Sequence, residues 1–233
     1  ACAAAATAST ANAQPASPAA LQVKVGGVIT PGSCTPAADA LAFDMKKVNP
    51  ASLKEKAETP LAPIVQRLSI TCQGDAGVAL SVAGTARAAT ASEDALDHKG
   101  AGISAEAKKG YIYDLVDAAT SNTRIGRYVF QFRNFSYTTA AANGTAAKAV
   151  VVSSSDKAAW TNAADTAANA AQLKSDGPSF VSFADPATPT VPVSASLFDG
   201  DIMIGAVIQP KSALTLNTDL TFRGETTITL SYL

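Results

Sequence analysis

Apolar and polar residues alternate one for one along most of this chain, the period of a strand with one buried face. Leu21, Val23 and Val25 alternate with Gln22, Lys24 and Gly26, and Ile29 resumes the same parity after Gly27. Leu68, Ile70 and Cys72 share one face of "RLSITC", as Val78, Leu80 and Val82 do in "GVALSVAG". Tyr128, Phe130 and Phe132 alternate with Val129, Gln131 and Arg133, while "AKAVVVSSS" is a β-branched run and "SFVSFAD" a short strand. Val191, Val193, Ala195 and Leu197 alternate in "TVPVSASLF", and "DIMIGAVIQP" is apolar enough for burial on both faces. The chain closes on "ETTITLSYL", with Ile228, Leu230 and Tyr232 opposite Thr227, Thr229 and Ser231. Roughly eight to ten short strands, separated by Gly, Pro, Asn and Asp, predict an all-β sandwich in one domain.

Helix signals are few. "NPASLKEKAE" predicts about two turns with Asn49 or Ser52 as N-cap, and "KAAWTNAADTAANAAQLK" reads as a long loop because its apolar residues define no stripe. The 233 residues carry a net charge of −1, with 16% charged residues and a pI near 5.8. No basic stripe exists to attract phosphate backbones, so nucleic acid is not an expected partner. No apolar run approaches the roughly 20 residues a membrane helix needs. The uncharged opening, with a small-x-small pattern at Ala11-Asn12-Ala13, makes residues 1–18 a flexible leader or signal remnant. Residues 19–30 then form a first strand, and 31–233 the main domain.

Candidate chemistry changes this picture little. "EDALDH" groups Glu93, Asp94 and Asp97 with His98, the only histidine, and is expected to be a solvated loop rather than a cation site. No G-x-S-x-G elbow, Walker loop, G-x-G-x-x-G or H-E-x-x-H occurs, so neither an enzyme nor a cofactor or metal is expected. The sequons at Asn134 and Asn143 carry little weight, and Trp160 is expected in a core rather than on a sugar platform. Of three cysteines, Cys2 is the odd one. Cys34 and Cys72 are either a disulfide between neighbouring strands or two buried thiols; as a disulfide they close a loop of about 39 residues, which stabilises by roughly 4 kcal/mol.

In order and spacing, "LQVKVGGVITPGSC", then "RLSITC" ending 38 residues after Cys34, then a terminal "TTITLSYL", resemble a chaperone–usher pilus subunit. "NTRIGRYVFQF", "SSSDKAAW" and "FDGDIMIGAVIQP…FRGETTITLSYL" further resemble a fimbrial-like family of unknown function. The resemblance spans residues 21–233. It implies an incomplete immunoglobulin-like sandwich that lacks its last strand, with Cys34 bonded to Cys72 and Tyr232 next to last. The groove so left is completed by a donor strand from a neighbouring subunit, here about Ala19 to Thr30, with Leu21, Val23, Val25 and Ile29 inserting and Gly27 on the same parity. Ile228, Leu230, Tyr232 and Leu233 then form the terminal strand beside the groove.

The implied partners are identical or related pilin subunits, a periplasmic chaperone that binds the carboxylate of Leu233, and an outer-membrane usher. A host or surface receptor is a further possible partner. The implied location is an extracellular fimbrium reached through the periplasm, and the implied function is polymerisation by donor-strand exchange. The alternative is an adhesive tip or adaptor subunit with a carbohydrate-binding patch. Only Pro31, Gly32 and Ser33 separate the donor segment from Cys34, so donation is expected rather than self-completion.

Overall fold

The computed structural model describes residues 33–36, 43–83, 95–96, 107–108, 110–120, 123–142, 144–162, 171–175, 178–217 and 219–233. The segment carrying Leu21, Val23, Val25, Gly27 and Ile29 lies outside the described residues, as do Cys2 and the Glu93, Asp94, Asp97, His98 group.

The described residues form strands β1 (Cys34–Pro36), β2 (Thr59–Pro60), β3 (Ile64–Ala76), β4 (Val78–Ala83), β5 (Ala95–Leu96), β6 (Ala107–Lys108), β7 (Tyr113–Asp117) and β8 (Arg124–Thr138). There follow β9 (Ala147–Lys148), β10 (Val150–Ser154), β11 (Thr161–Asn162), β12 (Phe180–Ala184), β13 (Ala195–Ile208), β14 (Phe222–Arg223) and β15 (Thr227–Tyr232). One sheet has the order β1-β3-β13-β8-β7-β14, with β2 and β9 pairing onto β13 and β8; a second has the order β11-β10-β12-β4-β15. All these pairings are antiparallel. Strands β5 and β6 pair separately.

The two sheets share one apolar core, to which Ile70, Phe132 and Phe198 come from the first and Leu80, Val151 and Phe183 from the second. This is an all-β architecture consistent with a sandwich. Aromatic rings bridge the layers: Phe135 stacks on Phe183 at 4.1 Å, and Phe183 meets Phe198 at 5.3 Å. Trp160 is buried beside Val152 and Ala184.

One strand exceeds what the pattern predicts. β13 runs unbroken from Ala195 to Ile208, where two separate strands were expected. Gly200 explains the continuity, because a Cβ there would overlap the Phe135 ring. Its absence lets the strand pass under the aromatic, at the cost of a register shift against β8 between Asp199 and Asp201. The expected "TVPVSASLF" strand begins only at Ala195, and Val193 instead gives its N–H to Phe183.

The expected helix after Asn49 shortens to a single 3-10 turn, Pro50–Ser52, capped by the Asn49 side chain on the Ala51 N–H at 2.9 Å. The carbonyls of Lys54 and Glu55 turn instead to the N–H groups of Lys211 and Ser212, so tertiary pairing overrides helix propensity. Glu58 forms a 2.7 Å ion pair with the nearly buried Arg127.

Candidate functional site

Cys34 and Cys72 are bonded, and they face each other across the β1–β3 ladder with Cα atoms 3.9 Å apart. Ser33 accepts a hydrogen bond from the Gln73 N–H at 3.0 Å, which makes Cys34 and Cys72 a non-hydrogen-bonded pair. Cys34 therefore turns its main-chain groups away from β3. Its N–H donates to the Tyr232 hydroxyl at 2.7 Å, tying the start of β1 to the end of β15.

β15 lies at the end of its sheet and pairs with β4 alone among the described residues. The Leu233 N–H donates to the Gly77 carbonyl at 3.1 Å, fixing the phase of this ladder. Thr227, Thr229 and Ser231 accordingly point their main-chain groups at β4, and Ile228, Leu230 and Tyr232 point theirs at the open side. The side chains of Ile228 and Leu230 are half-buried and pack against the common core, whereas Tyr232 and Leu233 are exposed. From the outer face of the sheet, Lys157 reaches over the Phe180 ring and donates to the Ser231 hydroxyl at 2.9 Å.

Beside this open edge runs a cavity of about 1210 Å³ between the sheets. Its floor is Leu68 and Ile70 of β3, Ile202 and Ile204 of β13, and Tyr128 and Phe130 of β8; Ile228 and Leu230 form one wall. The opposite wall is Pro36 of β1 together with an irregular strap, residues 43–48. Phe43, Met45 and Val48 are half-buried there, with Phe43 and Met45 packed against the core, while Asp44, Lys46 and Lys47 are exposed. Lys46 adopts a left-handed backbone, with φ of 59°. Asp44 accepts from both its N–H and its ammonium, at 2.8 and 2.9 Å, and these bonds hold the Asp44 carboxyl below its usual pKa range.

At the end away from the disulfide, the chain leaves β14 in the first sheet and crosses to β15 in the second. Gly224 makes the crossing possible, since a Cβ there would overlap Tyr128 and crowd Leu115. The Tyr128 and Thr226 hydroxyls share a hydrogen bond at this point. Burial pushes the Tyr128 phenol up to about 12; the Asp114 and Glu225 charges add to this and the Thr226 bond opposes it.

The site is thus an apolar groove, bordered by a strand edge that is unpaired among the described residues, with charged residues, among them Asp219 and Glu225, on its rim. A typical small-molecule pocket is roughly 300–1,000 Å³ and offers a few convergent polar groups; this groove is larger and presents an edge instead. Of the residues singled out in the sequence, Cys34, Cys72, Ile228, Leu230, Tyr232 and Leu233 come together around one end and one side of it. The sequence reading missed the strap and the floor under Gly224. The signal for the strap was present in "FDMKKV", which alternates and then breaks at paired lysines. No helix among the described residues is long and apolar enough to cross a membrane. In comparison with known proteins, no family model matches the chain, and no curated protein matches it.

Proposed function

We propose that this protein is a structural subunit of a chaperone–usher surface fibre, and that it polymerises by donor-strand exchange. The groove accepts residues 19–30 of a second copy as a strand added to β15, with Leu21, Val23, Val25 and Ile29 entering between the sheets. The observation that carries the reading is the edge of β15, unpaired among the described residues, beside an apolar seam. Strand addition supplies main-chain bonds along such an edge and pockets for alternate side chains. Each inserted aliphatic side chain contributes about 1.5–3 kcal/mol at full burial. Left unfilled, an edge and seam of this kind are an aggregation hazard, which gives a periplasmic chaperone its role before assembly.

Chain connectivity favours donation over self-completion. Thr30 stands three residues before Ser33, and the Cys34 N–H donates a hydrogen bond to the Tyr232 hydroxyl at the far end of β15. A segment of the same chain laid along β15 would have to arrive at that end, and so would run in the direction of β15. The ladder would then be parallel, the less stable arrangement per residue. A segment from another copy is free to pair antiparallel.

Purified fibres are expected to give ladders in SDS that collapse to monomer on boiling, and Val23→Asp or Val25→Asp should abolish the ladder while leaving the monomer folded. Unchanged ladders in both variants would rule donor-strand exchange out.

A further inference from the structure

Resting on that reading, we infer that the incoming strand forms its regular ladder with β15 alone, and that the opposite wall holds it through side chains. The two edges facing the seam differ in what their main chains offer. On β15, Ile228, Leu230 and Tyr232 turn both N–H and C=O toward the open side, the alternating arrangement an added strand requires.

On the other wall three positions, Cys34, Pro36 and Lys46, have no N–H to offer an added strand. The register of β1 with β3 turns Cys34 and Pro36 toward the seam and Thr35 away from it. The Cys34 N–H is given to the Tyr232 hydroxyl, and Pro36 has none. Further along, the Lys46 N–H is given to Asp44.

The left-handed turn at Lys46 also breaks the alternation of the strap, so Met45 and Val48, both lining the seam, are half-buried although they are three residues apart. A straight strand cannot run a continuous ladder past such a break. The kink, the proline and the charged pair are the devices by which an edge strand is blunted against pairing. Phe43, Met45 and Val48 remain as an apolar surface against which the added strand packs.

Hydrogen exchange on the full-length chain, with and without an excess of a synthetic peptide of residues 19–30, separates the two edges. The amides of Ile228, Leu230 and Tyr232 are expected to slow at least about tenfold on peptide binding, while those of Phe43, Asp44, Met45, Lys47 and Val48 change by less than about twofold. Slowing of the strap amides beyond that, alongside β15, would overturn one-sided pairing and leave donor-strand exchange standing. No slowing along β15 would overturn both.

Discussion

The two walls of the groove differ in how far each commits its main chain. β15 is a regular six-residue strand that spends one edge on β4 and leaves the other unpaired among the described residues. The wall of β1 and the strap is short, kinked at Lys46 and interrupted by Pro36, and two of its donors, the Cys34 and Lys46 N–H groups, are given to Tyr232 and Asp44. An open edge is specific only when its neighbour is closed, because two open edges over one seam would let an incoming strand choose register and side. On the proposed donor-strand reading, the blunted wall would leave one edge to read, and its side chains would set how deep the strand sits.

The largest test removes the staple of the blunted wall. Cys34→Ser is expected to cost roughly 4 kcal/mol in urea denaturation, the loop-closure contribution of the bridge. It should also raise the exchange rate of the β1 amides while β15 stays paired to β4. Loss of β15 protection in the same variant would show that the walls form one cooperative unit rather than two.

This asymmetry was only partly legible in the sequence. Period two exposed the strands, and the positions of Cys34, Cys72 and the closing "TITLSY" marked one end and one side of the groove, because alternation and covalent chemistry are local properties. Pro36 was in plain view, but its meaning depends on a register that turns it toward the seam, and no single segment encodes a register. The continuity of β13 through Gly200 was misread for a related reason: a glycine that breaks a strand and one that passes under Phe135 look alike until the ring is in place. The helix predicted after Asn49 failed because Lys54 and Glu55 pair with the 211–212 turn, a contact more than 150 residues away in sequence.

Between the walls, the floor supplies a pH-dependent test. Tyr128 holds its proton up to about 12 in the folded protein, chiefly through burial, against about 10 when unfolded. Its neutral form is favoured by folding, so this contribution is fully present below pH 10 and is lost as pH rises through 12. Two units correspond to about 2–3 kcal/mol. Tyr128→Phe should flatten this part of the alkaline stability profile, read as urea midpoints between pH 9 and 12. An unchanged slope would mean that the groove floor is wet.

A smaller effect links the walls directly. Tyr232→Phe removes the acceptor of the Cys34 N–H and should cost about 0.5–1.5 kcal/mol. It should also return one donor to the blunted edge, so the Cys34 amide should exchange faster in the free chain and slow when the residue 19–30 peptide is bound. If Cys34 stays equally fast with peptide, the seam reaches less far toward the disulfide than the cavity suggests.

The smallest effect belongs to the kink itself, and it is read from a pair of variants. A left-handed backbone costs a non-glycine residue roughly 1–2 kcal/mol, and Lys46 sustains it with φ of 59°. Lys46→Gly relieves that strain, but it adds unfolded-state freedom worth about 0.4–1 kcal/mol and gives up an ion pair whose partners are 82% and 70% exposed. The gains and losses nearly cancel, so stability should stay within about 0.5 kcal/mol of the parent. Lys46→Val takes the opposite course, since a β-branched side chain resists the left-handed region. Straightening the strap would move its later residues by one parity, turning Lys47 toward the seam and Val48 toward solvent. The valine variant should therefore be less stable than the parent and bind the donor peptide more weakly, while the glycine variant binds as the parent does. Equal peptide binding in all three chains would show that the strap does not touch the added strand, and that the groove is bounded by β15 and the floor alone.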